Sequence, residues 1–281
     1  MLIQAPVATR SGYGNHSRDL IESLIQMDKF DIKIMSLRWG DCSMNALDKN
    51  KPVHKQILDR IISPTNQLNQ QPDINVEIRV PNEFQKVGKY NIGITAGMET
   101  TLISPEWIEG CNRMDLIIVP SEHSKRTFLQ SKWDKLQQAP NGQNQKVGEI
   151  RIEKPIEVLF EGADENIYKK TNDIPEGLKT TLDNIKENFC FLYVGHWLKG
   201  DLGQDRKDTG MLVKVFLETF KNKPNPPALV MKTSGATFSI IDRDEIMGKI
   251  KDIKSKIENA ETLPPIYFLH GDLTDEEMNG L

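Results

Sequence analysis

The feature that most constrains the fold is one strand–loop–helix–strand segment in the second half of the chain. An apolar, aromatic run over 189–194 has the length of a strand and ends at Gly195, before a polar loop. Apolar residues then recur at helical spacing over 209–220, and a second buried strand is predicted over 228–232. Together these elements form a βαβ unit, which builds parallel sheets. The sequence therefore predicts an α/β fold.

The carboxyl edge of this unit carries several residues suited to an anionic ligand. Ligands of open parallel sheets bind beyond the carboxyl ends of the strands. That edge holds Gly195, Arg206, Lys207 and Lys232. Two adjacent cations beside a helix start suit a diphosphate, because the side-chain charges and the helix dipole add there. A solvated loop with cations near a helix would give the same pattern, so both interpretations stay open.

Composition bounds the class of protein. The chain has 281 residues, enough for two domains, and its net charge of -4 gives no reason to expect nucleic-acid binding. No apolar run is long enough to span a bilayer, and the chain starts without a signal-peptide pattern. Cys42, Cys111 and Cys190 are widely spaced and odd in number, which predicts reduced thiols in a cytoplasmic compartment.

The first half of the chain predicts a second α/β domain. Strands are predicted over 2–5, 32–36, 74–80, 90–95, 116–120 and 156–160. Helices are predicted over about 15–27 and 105–114 and from Glu122, and residues 134–154 are polar with a turn at 140–142. The charged segment 169–186 is the predicted connection between a domain over 1–168 and a domain over 169–281.

A glycine-containing loop is predicted between the first strand and the first helix. Gly12 and Gly14 would let a ligand approach bare backbone there. The segment nearly matches a dinucleotide fingerprint, with Ser17 in place of the last glycine. However, the next strand ends at Ser36 without the acidic residue that would hold a ribose. An NAD-dependent oxidoreductase is therefore disfavoured.

Several short motifs follow one another along the chain in a characteristic order. They are Ser11-Gly12-Tyr13-Gly14, Gly93-Ile-Thr95 with Glu99-Thr100, Pro105-Glu-Trp107, Asp115-Leu-Ile-Ile-Val-Pro120-Ser121, Phe160-Glu161-Gly162-Ala163-Asp164, Phe191-Leu-Tyr-Val-Gly195, Arg206-Lys207 and Phe268-Leu-His-Gly271. In order and spacing they resemble GT-B glycosyltransferases of the retaining family-4 type, over nearly all of the chain. The resemblance implies two Rossmann-like domains facing a cleft, the first on the acceptor side and the second binding a nucleotide sugar.

The resemblance assigns roles to the donor-side residues. Arg206 and Lys207 match the basic pair that neutralises the nucleotide diphosphate. Gly12 and Gly14 match the glycine loop that faces the donor. Lys232 is predicted to reach the same phosphates from its strand end, although pairing with an acid would explain it as well.

Two further positions complete the predicted site. Glu99 falls where the family often places a polar residue close to the sugar or acceptor, and it is the candidate catalytic residue. A loop carboxylate without a role in the site would give the same sequence. Gly271, Asp272 and Leu273 match the loop beside the nucleotide base.

No metal and no cofactor are expected. Fixed cations at the leaving group stabilise the charge that develops there, and GT-B enzymes generally need no metal for this. The alternative GT-A class would require an Asp-x-Asp metal site. Asp242-Arg-Asp244 has that spacing, but it lies at a predicted helix start, where the helix dipole favours acids.

The predicted function is metal-independent, retaining transfer of a hexose from a nucleotide-sugar donor to a glycan, lipid or protein acceptor. A non-catalytic nucleotide-sugar-binding module is the alternative, and peripheral contact with a membrane stays open. The family's two glutamates, eight positions apart, cannot be placed between Gly271 and Leu281. The second domain is therefore expected to be incomplete at its C-terminus, and the chain to turn over poorly alone.

Overall fold

The computed structural model describes residues 1–63, 70–97, 100–138, 144–198, 202–205, 207–235 and 237–281. The chain divides into two compact units, Met1–Gly162 and Ala163–Leu281. Each unit contains a parallel sheet with helices between its strands, which confirms the predicted α/β class.

The first unit is built on a parallel sheet. Its strands are β1 (Leu2–Ala5), β2 (Lys33–Ser36), β3 (Ile74–Ile78), β4 (Tyr90–Ile94), β5 (Leu116–Val119) and β8 (Ile156–Val158). Their order across the six-stranded sheet is β2-β1-β3-β4-β5-β8. The helices are α1 (Gly12–Gln26), α2 (Pro52–Leu58), α3 (Pro105–Asn112) and α4 (Glu122–Gln130), with a short 3-10 helix at Pro81–Glu83.

Apolar residues cover both faces of this sheet, as expected for a parallel sheet. Neighbouring residues on one strand belong to different clusters: Ile117 is buried in one, and Ile118 packs against the other. This follows from the alternation of side chains along a strand. One cluster includes Ile21 of α1, and the other includes Phe128 of α4, so these helices lie on opposite faces.

The first helix begins earlier than the sequence predicts. Ser11 is the N-cap, and its hydroxyl accepts a hydrogen bond from the Gly14 amide at 3.0 Å. A serine at this position satisfies an amide that the helix itself leaves without a partner. Gly12 and Gly14 therefore lie in the first turn of α1 and not in the preceding loop.

A hairpin stands where the sequence predicted only a polar segment. Its strands are β6 (Lys132–Gln138) and β7 (Asn144–Arg151), which pair antiparallel. The indole nitrogen of Trp133 donates to the Ile103 carbonyl at 2.9 Å, and Ile150 packs against the core. Most of the described side chains on the hairpin are exposed, Trp133 included, which agrees with the weak apolar alternation of its sequence. The predicted turn at 140–142 lies outside the described residues.

The second unit contains the predicted βαβ segment. Its strands are β9 (Cys190–His196), β10 (Ala228–Ser234) and β11 (Ile266–Leu269), in the order β11-β10-β9. Its helices are α5 (Glu176–Leu182), α6 (Thr209–Phe220), α7 (Ile240–Ser255) and α8 (Asp275–Gly280). The core consists of apolar side chains from the sheet, α6 and α7, among them Val213, Met231 and Ile246.

The second unit contains two short helices, α8 and α5. A capping box begins α8, because the Thr274 hydroxyl accepts from the Glu277 amide and the Glu277 carboxylate from the Thr274 amide. The segment 169–186, predicted as a connection, contains α5, whose Leu178 is buried. Among the described residues, no helix is long and apolar enough to cross a membrane.

Candidate functional site

The carboxyl edge of the second sheet brings together residues from all its strands. Lys232 lies beside Val194 in the register of β10 and β9, one position before Gly195. The sequence predicted that β10 ends at Lys232, but it continues to Ser234, which pairs with His196. Lys232 and Gly195 are therefore on neighbouring strands at the same edge, where parallel sheets bind ligands.

Lys207 lies against the backbone at the end of β9. A Cβ atom added at Gly195 would lie 2.8 Å from Nζ of Lys207 and 3.0 Å from Oη of Tyr193. The missing side chain therefore leaves room for the ammonium group beside the strand end. Lys207 is exposed and comes two positions before Thr209, the first residue of α6.

Buried polar contacts fix the loop that leads into α6. The Asp205 carboxylate accepts hydrogen bonds from the Thr209 amide at 3.3 Å and the Thr209 hydroxyl at 3.0 Å. The Thr209 hydroxyl also lies 2.6 Å from Oη of Tyr193 on β9. Sequence reasoning missed Asp205, although an acid four residues before a helix-starting threonine was visible there. Arg206, the other predicted diphosphate ligand, lies outside the described residues.

Lys232 connects β10 to the loop after β11 by a hydrogen bond. Its side chain is mostly buried, and Nζ donates a hydrogen bond to the Gly271 carbonyl at 2.7 Å. The same ammonium lies 4.7 Å from the centre of the Phe238 ring, a cation–π distance. Gly271 has a φ of +138°, which favours glycine. Lys232 thus holds the start of the loop that continues through Asp272 and Leu273 into α8.

Asp242 is occupied by contacts within the protein. One carboxylate oxygen accepts from the Gly235 amide at 2.8 Å, and the other lies 3.0 Å from Nε2 of His270. Asp242 lies in the first turn of α7, as predicted, and Ser239 caps that helix. Within the described ranges, no group of three or more His, Cys, Asp or Glu side chains is arranged to hold a metal ion.

In the first unit, close packing explains why position 14 is a glycine. A Cβ atom at Gly14 would lie 2.2 Å from the Thr9 carbonyl oxygen, whereas one at Gly12 would meet nothing within 4 Å. The structure therefore explains Gly14 by the close approach of α1 to the loop before it.

The loop after β4 contacts the start of α1. The Tyr13 hydroxyl accepts from the Ala96 amide at 3.0 Å and lies 2.9 Å from the Thr95 hydroxyl. The Tyr13 ring stacks on Trp39 with centroids 4.0 Å apart. Glu99, the candidate catalytic residue, follows in the same loop but lies outside the described residues.

The chain matches no protein-family model and no curated protein. Among solved structures it is similar to Anabaena HepE in complex with UDP-glucose, at 15% identity and a TM-score of 0.52, covering 99% of this chain and 70% of that one. It is similar to an E. coli trehalose-6-phosphate protein bound with UDP-2-fluoro glucose, at 12% identity and a TM-score of 0.51, covering 99% and 74%. A third is the UDP-forming alpha,alpha-trehalose-phosphate synthase from Burkholderia xenovorans in complex with glucose-6-phosphate, at 10% identity and a TM-score of 0.51, covering 99% and 76%. At these identities the likeness concerns the fold alone, and it confirms the predicted class, the GT-B fold of two Rossmann-like α/β domains.

Proposed function

We propose that this chain is a glycosyltransferase that moves a hexose from a nucleotide-sugar donor to a glycan, lipid or protein acceptor. The observation that carries the proposal is the carboxyl edge of the second sheet. There Lys207 lies against the bare backbone of Gly195, and Lys232 occupies the neighbouring strand. Cations at a strand end and a helix start are suited to a diphosphate leaving group.

The chemistry of the transfer suits these residues. Breaking the bond between the sugar and the phosphate leaves a negatively charged diphosphate. Preorganised cations at that position stabilise the charge as it develops in the transition state, without waiting for solvent to reorganise. Lys207 would supply an exposed ammonium. Lys232 would act through its charge and through the loop that it holds at Gly271.

The sequence resemblance supplies the finer part of the proposal. It favours a retaining, metal-independent reaction of the family-4 type, with the second domain on the donor side. Two of the similar structures contain UDP-glucose or a UDP-fluoroglucose, so UDP-sugars are the first donors to test. The remaining proposed donor contacts are Arg206, Gly12, Gly14, Gly271, Asp272 and Leu273, and Glu99 is the proposed catalytic residue.

The test is to measure donor binding and donor consumption side by side. The purified chain is incubated with UDP-, GDP- and ADP-sugars in the presence of EDTA, while affinity is measured by calorimetry. We expect one nucleotide class to bind and its sugar to be released or transferred despite the chelator. Binding without any consumption would favour the non-catalytic module instead. Activity that disappears with EDTA and returns with manganese would contradict the metal-independent mechanism.

A further inference from the structure

One chain of hydrogen bonds connects the ends of all the strands in the second sheet. His196, the last residue of β9, places Nδ1 2.8 Å from the Gly235 carbonyl, just after β10. The Gly235 amide donates to Oδ1 of Asp242 at 2.8 Å. Oδ2 of Asp242 lies 3.0 Å from Nε2 of His270, just after β11. Asp242 is the residue at which these links meet.

The Asp242 carboxylate is enclosed by its contacts. Its side chain is only 9% exposed, and that of His270 only 11%. A Cβ atom at Gly235 would lie 2.3 Å from Oδ1, so this contact requires glycine at that position. The Asp242 amide donates to the N-cap Ser239 at 3.1 Å, which fixes the residue at the start of α7. Both carboxylate oxygens thus make contacts within the protein, one with Gly235 and the other with His270.

The contact with His270 reaches the proposed donor site through one more residue. The His270 ring packs near Phe238 and Phe268, with centroids 5.8 and 5.5 Å away. The next residue, Gly271, accepts the hydrogen bond from Lys232 at 2.7 Å. Holding His270 in place therefore holds the carbonyl to which Lys232 is bound.

We infer that Asp242 is a positioning residue for the donor site. It ties the loops after β10 and β11 together, so that Lys232 and the backbone at Gly271 meet the donor in fixed positions. It acts through Gly235 and His270, and it does not touch the donor. The inference rests on the proposed function, because it assigns the ordered loops to a nucleotide diphosphate. Loosely held groups lose binding and rate, which is why such positioning matters.

Three substitutions separate the position of the carboxylate from its charge. Asp242→Ala removes both hydrogen bonds. Asp242→Asn keeps them if His270 changes its tautomer, because the amide oxygen can accept from Gly235 and the amide nitrogen can donate to Nε2. Gly235→Ala displaces the Asp242 carboxylate but keeps its negative charge. Gly248→Ala is the matched control, since a Cβ atom at that position of α7 meets nothing within 4 Å.

The first measurement is the affinity for UDP and the kinetics with the donor. We expect Asp242→Ala and Gly235→Ala to weaken UDP binding about tenfold, the effect of roughly one lost hydrogen bond to a charged group. The KM for the donor should rise more than kcat falls, because uniform binding is lost. Asp242→Asn and Gly248→Ala should stay close to the parent.

The second measurement needs no donor. Nitrogen NMR of the His270 imidazole should show the proton on Nε2 in the parent and on Nδ1 in Asp242→Asn. If Asp242→Ala does not fold, as judged by its melting, Asp242→Asn and Gly235→Ala still decide the question.

Two failures can be told apart. If Asp242→Ala and Gly235→Ala bind UDP as tightly as the parent does, the inference is overturned and the proposed function is unaffected. The inference is also overturned if His270 carries its proton on Nδ1 in the parent. A parent that binds no nucleotide diphosphate or nucleotide sugar overturns the proposed function, and with it the donor role of Asp242.

Discussion

At the scale of single residues, Glu77 is a charge placed inside the first unit. It is fully buried on β3, and its Oε2 lies 2.9 Å from Nε of Arg79. Its Oε1 accepts hydrogen bonds from the Gln4 side chain and the Gln85 amide, each at 3.2 Å. Burial raises the pKa of Glu77 above its ordinary value, although Arg79 and a hydrogen bond from Asn75 lower it in part. Removing one partner of such a buried pair strongly destabilises the protein, because the other charge is left buried without a partner.

The raised pKa of Glu77 predicts how stability depends on pH. The native state holds this proton more tightly than the unfolded state, so the contribution of the group to stability is present below the ordinary pKa of 4.5 and is lost as pH rises through the folded-state pKa. Glu77→Gln cannot titrate. The loss of the ion pair with Arg79 shifts the whole stability curve of the variant. Between pH 4.5 and the folded-state pKa of Glu77, however, the variant should gain stability relative to the parent, by up to about 1.4 kcal/mol per pH unit.

Urea unfolding across a pH series checks this prediction. The neighbouring charges are Arg79 directly after β3, Glu83 in the 3-10 helix near Arg79, and Arg113 after α3. Arg113→Lys keeps the charge and is the control: it loses guanidinium contacts to the Phe84 and Asn82 carbonyls, so its stability curve should be offset from that of the parent but parallel to it. Parallel stability curves for the parent and Glu77→Gln would contradict the assignment.

Which residues could be foreseen depends on how far apart in the chain their partners are. Lys207 and Gly195 are near neighbours in one βαβ unit, so the sequence placed them at one edge. Asp242 and His270 come from different elements, and no local pattern indicates that their side chains meet. The alternation of apolar and polar residues along β3 predicts a strand. It does not show that Glu77 is buried, because that depends on residues outside the strand such as Gln85.

At the scale of elements, the start of α1 depends on one glycine. Gly14→Ala should destabilise the first unit by about 1–3 kcal/mol, because its Cβ would meet the Thr9 carbonyl at 2.2 Å. Gly12→Ala is the matched control. It meets nothing within 4 Å and should be neutral or stabilising by about 0.4–1 kcal/mol. Denaturant unfolding of both variants decides: equal effects would rule out the packing explanation.

Elements with strong periodicity were predictable, and elements held by tertiary contacts were not. The strands β1 and β4 match their predicted ranges within a residue. The hairpin β6–β7 was missed, because its stability comes from pairing and from two anchored side chains, Trp133 and Ile150. α1 was predicted to begin late, because glycines resemble a loop until the cap from Ser11 is known.

At the scale of the whole molecule, the fold follows from the order of the strands and helices, whereas the proposed function depends on a few side chains. The order of strands and helices predicted two α/β domains, and the similar solved structures confirm that class. The proposed donor site depends on side chains of one sheet edge, which a likeness in fold does not test. Lys207, Lys232 and Gly271 lie at this edge, and nucleotide binding to variants of the two lysines tests the proposed role.

The most direct test of the account is the binding of UDP and uridine to a lysine variant. Lys207→Ala should weaken UDP binding by about 1.5–3 kcal/mol, the value of a charge-assisted hydrogen bond, and leave uridine binding unchanged. Lys214→Ala is the control, because it removes an exposed lysine from the same α6 region but away from the helix start. Calorimetry should show the loss only for Lys207→Ala and only with UDP. An unchanged UDP affinity in Lys207→Ala, or an equal loss in Lys214→Ala, would contradict a diphosphate site at this edge.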